Sequence, residues 1–214
     1  MSPCKLRGQR LKKKNDMANN HIVLDIETQN LFSDVGGKEN LTKLSLSVAG
    51  VYSYADKSFL TFIESEMPAF ENLLKKTDLI IGFNINHFDL PVLKKYLSID
   101  LNRIPTLDIM TEVVNTMGHR TSLDDLVVNT LGKRKSGSGL LAVDYFRQGR
   151  MDELKKYCLD DVRLTRDLYE HGLKHGEIKF TARDANLPYI KILKVDFAKY
   201  GGFKIKTSWT PSLF

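Results

Sequence analysis

The strongest constraint on this chain lies in residues 21–30, HIVLDIETQN, where an apolar run ends in two closely spaced carboxylates. Side chains two positions apart on a strand point to the same face, so we expect Asp25 and Glu27 to lie roughly 6–7 Å apart. Two full negative charges at that distance repel by about 2–3 kcal/mol at an effective dielectric constant of about 20, and burial raises this cost. The segment therefore predicts a positive group beside both carboxylates, unless the strand simply runs out into solvent at Asp25.

Length, cysteine content and hydropathy limit the class of protein. A chain of 214 residues with 42% hydrophobic residues can bury one core of ordinary size and carry additional segments. Its two cysteines, Cys4 and Cys158, are too few and too far apart for a disulfide framework, and no Cys/His cluster indicates zinc. No run approaches the roughly 18–20 apolar residues of a membrane span. We therefore expect a cytoplasmic protein with no membrane partner, and the sequence does not identify a protein partner.

The net charge of +6 is concentrated at the N-terminus. Residues 1–16 hold six basic residues against a single acidic one and show no hydrophobic periodicity, so we expect a disordered basic leader. This leader is either a nucleic-acid-binding arm or a solubilising segment ahead of an alternative translation start at Met17. We place one globular domain at residues 17–183 and an unassigned C-terminal extension at 184–214, in which only YIKILKVDF, residues 189–197, has the pattern of a strand.

Strands and helices alternate through the globular domain. After the first strand, residues 44–54 and 58–65 alternate between apolar and polar positions and are joined by a short turn, which indicates an antiparallel meander. Residues 78–84 and the stretch around 106–110 read as further core strands, each reached through a helical segment. The pattern predicts an α/β fold with a mixed five-stranded sheet, three antiparallel strands followed by two parallel ones, and helices on both faces.

Two helices in the second half have clear boundaries. The segment SLDDLVVNTLG has Ser122 as a predicted N-cap and Gly132 as a predicted C-cap, and Asp124 and Asp125 are most simply acids that complement the helix dipole. A longer helix is predicted over residues 151–176, starting near a methionine and ending at a glycine.

Two further acids lie where a site can form. Asp89 follows the fourth predicted strand, at the edge where open α/β sheets build their sites, although it can also serve only as a helix cap. Tyr157 and Asp161 are four positions apart on the long helix and share one face. A core-facing Asp is costly unless it is paired or binds a metal ion, so Asp161 is either a ligand or the partner of a cation such as Arg163 or Arg166.

The segments DIET, NINHFD and YCLDD stand in this order along the chain. Together they resemble the three motifs of the DEDD 3′–5′ exonuclease superfamily, which has the ribonuclease H-like fold, and the resemblance covers most of residues 21–176. The spacing of Tyr157 and Asp161 is similar to the subclass with tyrosine in its third motif, which includes the proofreading domains of family B DNA polymerases. The histidine subclass would need a His four or five positions before Asp161, where Tyr157 and Lys156 stand instead. The chain also resembles small bacterial proteins known only as ribonuclease H-like.

The resemblance implies a cation site that would offset the repulsion between the two strand carboxylates. It implies two Mg²⁺ or Mn²⁺ ions, roughly 3.5–4 Å apart, held by four carboxylates: Asp25, Glu27, Asp89 and Asp161. By analogy with the family, Asp25 bridges both ions, Glu27 and Asp161 complete the first, and Asp89 reaches the second through water. Tyr157 then orients the water that attacks the terminal phosphodiester, and the product is a nucleoside monophosphate.

By the same resemblance, six residues contact the substrate around its 3′ end: Thr28, Gln29, Leu31, Phe32, Asn84 and Phe88. Thr28 and Gln29 would approach the terminal 3′-OH, and Asn84 would approach the sugar-phosphate. Phe88 would pack behind Asp89. Leu31 or Phe32 would wedge against the last base, because stacking on an apolar side chain tolerates any base.

A basic, glycine-rich segment precedes the long helix. GSGLLA, residues 137–142, matches a dinucleotide-binding fingerprint, but KRKS precedes it where a strand should be, which argues against that function. The basic residues Lys133, Arg134 and Lys135 either track a phosphate backbone or form a solvated surface loop.

These observations support a metal-dependent 3′–5′ exonuclease that releases nucleoside monophosphates from single-stranded DNA ends, an activity of the kind used in DNA repair. One alternative is a 3′–5′ exoribonuclease, because no motif reports on the 2′-OH. Another is a catalytically idle nucleic-acid-binding module, although an idle site has no reason to keep mutually repelling carboxylates.

Overall fold

The computed structural model describes residues 20–137, 139–184 and 187–200. The strands in these ranges are β1 (His21–Thr28), β2 (Leu46–Ser53), β3 (Ser58–Phe62), β4 (Leu79–Gly82), β5 (Thr106–Asp108), β6 (Glu177–Asp184) and β7 (Leu187–Lys194). The α-helices are α1 (Met67–Leu74), α2 (Asp89–Leu93), α3 (Ile109–Met117), α4 (Leu123–Leu131), α5 (Gly139–Arg147) and α6 (Met151–His175). The predicted basic leader lies outside the described residues, as do residues 201–214.

Five strands form one mixed sheet in the order β3-β2-β1-β4-β5. β1 pairs antiparallel with β2, and β2 pairs antiparallel with β3, whereas β4 lies parallel to both β1 and β5. The two parallel strands are reached through helices because a parallel connection must cross back over the sheet. This topology confirms the predicted α/β class with three antiparallel strands followed by two parallel ones.

Helices cover both faces of the sheet, as predicted. On one face, Ile22 of β1 packs with Phe70 of α1 in a buried cluster. On the other face, Val23 packs with Leu126 of α4 and Leu168 of α6. Successive side chains of a strand point to opposite faces, so β1 contributes to both apolar layers and reads as a nearly continuous hydrophobic run.

The long helix α6 lies directly against the centre of the sheet because a glycine leaves room for it. Gly50 of β2 pairs with Asp25 of β1. A Cβ atom at Gly50 would lie 2.7 Å from Sγ of Cys158, a distance that real Cβ contacts essentially never show. Asp25 and Glu27 have the same parity as Val23, so both point toward the face that α6 covers. This close approach places the middle of α6 over the end of β1.

The two predicted helix boundaries are confirmed. The hydroxyl of Ser122 accepts a hydrogen bond from the backbone N–H of Asp125, and α4 ends at Gly132 in the left-handed conformation. α6 spans Met151–His175 and ends at Gly176, which has a φ of 65°. α3 and α5 were not predicted as separate helices. Among the described helices, none combines the length and apolar character that a membrane crossing requires.

A β-hairpin formed by β6 and β7 follows α6, and the boundary predicted between residues 183 and 184 falls inside it. The outer edge of β6 is held by polar side chains of α4. Oδ2 of Asp125 accepts a hydrogen bond of 3.0 Å from the N–H of Thr181, and Oγ1 of Thr130 accepts one of 2.8 Å from the N–H of Lys179. Asp125 therefore does more than complement a helix dipole. β7 corresponds to the strand predicted within residues 189–197 and leaves Leu187 and Ile190 exposed.

Candidate active site

Three of the predicted carboxylates converge at the end of β1. One ligand oxygen from each of Asp25, Glu27 and Asp161 lies within 4.8 Å of the others. β1 and β2 change register between Glu27 and Thr28, and such irregularities re-aim side chains at the rim of a sheet. Asp161 comes from α6 and is 3% exposed, so its carboxylate enters the group from the layer above the sheet. We call these three residues the carboxylate cluster.

Asp89, the fourth predicted acid, lies beside the carboxylate cluster at the first residue of α2. Its Oδ1 accepts a hydrogen bond of 2.9 Å from the backbone N–H of Ile26, the residue between the two acids of β1. Burial raises the pKa of Asp89 to about 7, although the Ile26 bond opposes the rise. The structure therefore connects Asp89 to the cluster through one peptide group.

Asp108, which the sequence analysis did not single out, organises the loop that carries the second motif. This buried residue ends β5 and precedes α3. Its Oδ1 accepts a hydrogen bond of 2.7 Å from the N–H of Asn84, and its Oδ2 accepts one of 3.0 Å from the N–H of Asn86. It also accepts from the N–H of Met110 as the N-cap of α3. An Asp between a strand and a helix was the available signal, but the loop contacts are not visible in the sequence.

Tyr157 and Cys158 line the α6 side of the cluster. Both side chains are buried. Burial, followed by the charges of Asp161 and Glu27, raises the pKa of the Tyr157 phenol far above its usual range, so the hydroxyl stays protonated. Sγ of Cys158 donates to the carbonyl oxygen of Asp25 at 3.5 Å. The thiol therefore braces the backbone of β1, and burial raises its pKa so that it stays neutral.

Among the described residues, the cation that pairs with the cluster is neither of the two arginines considered from the sequence. Arg163 pairs with Asp160, and Arg166 pairs with Asp167. Instead, Nζ of Lys135 lies 2.7 Å from Oδ2 of Asp161. Lys135 belongs to the basic loop between α4 and α5, so one of its three basic residues points into the site and is not part of a solvated surface loop.

Burial and mutual repulsion dominate the electrostatics of the cluster. Burial raises the pKa values of Asp25 and Glu27 well above those of free carboxylic acids, and the charge of Asp161 raises them further. Burial also raises the pKa of Asp161, against the opposing effect of the Lys135 ammonium. Within the described part of the chain, the ammonium of Lys135 alone pairs with these three carboxylates, so the cluster is short of positive charge.

The donor set fits a hard divalent cation. The ligands are all carboxylate oxygens, which Mg²⁺ and Mn²⁺ prefer over nitrogen and sulfur. Oδ1 of Asp161 is buried and has no hydrogen-bond partner among the described residues, which is costly for a charged oxygen unless a cation contacts it.

Comparison with known proteins agrees with this geometry. Residues 9–174 match the family model described as 3′-5′ exonuclease. The chain belongs to this 3′–5′ exonuclease family. It has the DEDD motif set and the ribonuclease H-like fold, and it is a nuclease. The family is metal-dependent and acts on nucleic acid, which accounts for a group of acids at this position.

A solved structure shares the fold of this exonuclease. The family B DNA polymerase from the hyperthermophilic archaeon Pyrobaculum calidifontis matches with a TM-score of 0.55 and 20% sequence identity, over 72% of this chain and 24% of the polymerase. The exonuclease therefore spans about a quarter of the polymerase's length. No curated protein matches the chain at a significant level.

Two of the predicted substrate-binding residues of the exonuclease, Thr28 and Gln29, follow the acids of β1. Oγ1 of Thr28 donates a hydrogen bond of 2.8 Å to the carbonyl oxygen of Asn30. Nε2 of Gln29 donates to the carbonyl oxygen of Leu46 at 2.8 Å, and it contacts Oε2 of Glu64 at 3.3 Å. Both side chains are therefore fixed beside the cluster, and their contact with a 3′-OH stays a prediction.

The other four predicted contacts divide into two groups. Phe32 and Phe88 meet edge to face with ring centroids 5.8 Å apart, next to the partly exposed Leu31, so the two rings form one partly buried aromatic pair. Asn84 has a left-handed backbone with a φ of 65°, and its Oδ1 accepts a hydrogen bond of 2.6 Å from Arg120. The structure thus joins Asn84 to an arginine that the sequence analysis did not consider.

Proposed function

We propose that this chain is a metal-dependent exonuclease that removes nucleoside monophosphates from the 3′ ends of single-stranded DNA. The observation that carries the proposal is the convergence of Asp25, Glu27 and Asp161 within 4.8 Å, with Tyr157 buried beside them. Three unscreened charges this close together repel one another strongly, and metal-assisted phosphodiester hydrolysis is a chemistry that uses such a group.

The carboxylate cluster and Asp89 would hold two Mg²⁺ or Mn²⁺ ions. When bound, such ions supply the acidity that activates a water molecule and the positive charge that stabilises the phosphodiester and its leaving 3′ oxygen. The partnerless Oδ1 of Asp161 supports a ligand role for this residue. Asp89 would act from its position beside Ile26. Because burial raises its pKa to about 7, a nearby cation would favour its ionised form at neutral pH.

The protein's own groups would position the attacking water. Tyr157 keeps its proton, because burial and the neighbouring carboxylates raise its pKa, so its hydroxyl can hold a water by hydrogen bonding without becoming a phenolate. Cys158 contacts the backbone carbonyl oxygen of Asp25 from the same helix. The two residues are consecutive on α6, so the helix fixes both the water site and the strand that carries the acids.

The aromatic pair of Phe32 and Phe88 supports a single-stranded substrate. Aromatic and apolar side chains stack on unpaired bases with little sequence preference, and a base in a duplex would not be free to do so. Lys38 lies over the Phe32 ring with its Nζ 5.9 Å from the centroid, close enough to serve a phosphate next to a stacked base. The similar structure is that of a DNA polymerase, which favours DNA over RNA.

The experiment uses single-stranded DNA and RNA oligonucleotides labelled at the 5′ or the 3′ end, incubated with Mg²⁺, Mn²⁺ or EDTA. We expect DNA labelled at the 5′ end to shorten into a ladder, with release of nucleoside monophosphates, and no cleavage in EDTA. Asp25→Ala should be inactive, and Asp144→Ala, which changes an exposed acid of α5, should match the wild type. Cleavage in EDTA, or binding without any cleavage, would contradict the proposal. Faster degradation of RNA than of DNA would instead identify RNA as the substrate.

A further inference from the structure

The loop between α4 and α5 brings a lysine to the carboxylate cluster. Nζ of Lys135 lies 2.7 Å from Oδ2 of Asp161, and its side chain is only 24% exposed. The backbone N–H of Lys135 donates a hydrogen bond of 2.8 Å to Oδ1 of Asp124 in the first turn of α4. A Cβ atom at Gly137 would lie 3.4 Å from Cε2 of Tyr157, so the loop also passes close to this side chain.

The ammonium group of Lys135 contacts a carboxylate oxygen of Asp161, which is a predicted metal ligand. An ammonium at hydrogen-bond distance from Oδ2 of Asp161 and a divalent ion bound to the same carboxylate group would repel each other strongly in a buried site. The charges of Asp25 and Glu27 also act on Lys135, so its ammonium lies in the field of the whole cluster. One cation must give way when the other binds.

We propose that Lys135 is the resident counter-cation of the carboxylate cluster, and that a divalent metal ion displaces its ammonium on binding. This inference rests on the metal dependence in the proposed function. Lys135 is then a positioning residue: it keeps Asp161 close to the two acids of β1 while no metal ion is bound. Its release frees the side chain to move away from the cluster while the backbone stays attached to Asp124.

The neighbouring lysine provides a matched comparison. Lys133 lies in the same loop, and its Nζ is 2.7 Å from Oδ2 of Asp167, an acid outside the carboxylate cluster. The two lysines therefore have the same charge, the same kind of partner and the same distance. Only Lys135 competes with a metal ion, so only its surroundings should respond to one.

The first test measures the accessibility of both amines in the wild-type protein. The protein is reductively methylated for short times in EDTA, in Mg²⁺ and in Ca²⁺, and the modification of each lysine is followed by mass spectrometry. We expect saturating Mg²⁺ to increase the methylation rate of Lys135 severalfold, because its ion pair is broken, and to leave Lys133 unchanged. A rate for Lys135 that is the same with and without metal ions would overturn the proposal. This test needs no variant to fold.

The second test compares metal affinity by calorimetric titration of Mn²⁺ into wild type, Lys135→Met and Lys133→Met at one fixed pH. Lys135→Met removes the competing cation, so we expect its Kd for Mn²⁺ to fall about tenfold or more, equivalent to about 1.4 kcal/mol. Lys133→Met should bind as the wild type does. Equal or weaker Mn²⁺ binding by a folded Lys135→Met variant would overturn the displacement. Neither test uses an oligonucleotide, so a protein that binds Mn²⁺ and releases Lys135 but cleaves nothing would refute the proposed function and leave this inference standing.

Discussion

The backbone N–H of Ile26 donates a hydrogen bond of 2.9 Å to the carboxylate of Asp89, and this bond joins the first motif to the second. Ile26 lies between Asp25 and Glu27, so the stretch of β1 that carries both acids also holds Asp89 at the start of α2. Because both partners are buried, the bond is protected from exchange with water. The relative position of these three acids therefore depends on a main-chain contact as well as on any metal ion.

This bond predicts different results for two substitutions of Asp89. Asp89→Asn keeps an oxygen that can accept from Ile26, so we expect near-normal stability but an activity about 10–100-fold lower, as for groups that act on a metal ion through an outer contact. Asp89→Ala leaves a buried N–H without a partner and should cost about 1–3 kcal/mol of unfolding free energy as well. Denaturant unfolding and oligonucleotide cleavage measure the two effects. Equal stability of both variants would show that the Ile26 bond contributes nothing.

Removal of Asp25 should separate activity from stability. In Asp25→Ala the cluster loses one of its repelling carboxylates, so we expect the protein in EDTA to be as stable as the wild type or more so, while nuclease activity is abolished. The bond from Cys158 to the backbone carbonyl remains available. Thermal unfolding in EDTA and a cleavage assay in Mg²⁺ provide the measurements. Full activity in this variant would refute the assignment of Asp25.

The hydroxyl of Tyr157 should affect turnover and not affinity. Tyr157→Phe keeps the buried ring and all four carboxylates, so the Kd values for Mn²⁺ and for the oligonucleotide should change little. The loss of a group that orients the attacking water should lower kcat by roughly 10²-fold. Single-turnover cleavage at saturating enzyme measures this step. A variant with normal turnover at saturation but weak oligonucleotide binding would make Tyr157 a substrate contact.

The stability of the metal-free protein should fall as pH rises. Burial raises the pKa of Asp89 to about 7 and raises the pKa values of Asp25 and Glu27, whereas all three are ordinary acids in the unfolded chain. The folded state therefore binds more protons than the unfolded chain. The contribution of these three acids to stability is greatest below about pH 4 and is lost as pH rises through their folded pKa values, near 7 for Asp89.

We expect the Tm in EDTA to be several degrees lower at pH 8 than at pH 5, and Mg²⁺ to restore most of the loss at pH 8. Asp89→Asn should flatten part of this profile, because the amide does not titrate. Thermal unfolding across pH, with and without Mg²⁺, checks both statements. A Tm in EDTA that rises from pH 5 to pH 8 would contradict the raised pKa values.

Gly50 should be needed for the approach of α6 to the sheet. In Gly50→Ala the new methyl group would lie 2.7 Å from Sγ of Cys158, so the helix must shift, and overpacking of this kind costs about 1–3 kcal/mol. Because Asp161 is on the same helix, the Kd for Mn²⁺ should also rise. Gly139→Ala is the control, because a Cβ atom there meets nothing within 4 Å. Combining Gly50→Ala with Cys158→Ala should recover part of the lost stability. If it recovers none, the contact with Cys158 is not the cause of the loss.

The sequence determined those features of this protein that depend on near neighbours along the chain. The two-residue period of β1 puts Asp25 and Glu27 on one face, and the four-residue spacing on α6 does the same for Tyr157 and Asp161. Strand and helix repeats are set by backbone geometry, so these pairings follow wherever the element is formed. The order of strands and helices likewise restricted the fold to a mixed sheet with helices on both faces.

Only the tertiary structure decided which distant groups meet. Arg163 and Arg166 lie only two and five positions from Asp161 in sequence, yet they pair with Asp160 and Asp167. The loop lysine Lys135 reaches the carboxylate of Asp161 instead. Asp108 likewise holds the second-motif loop from a neighbouring strand. Contacts of this kind depend on how loops are anchored and on how closely layers pack. No local period along the chain encodes those distances, so they appear only when the whole core has formed.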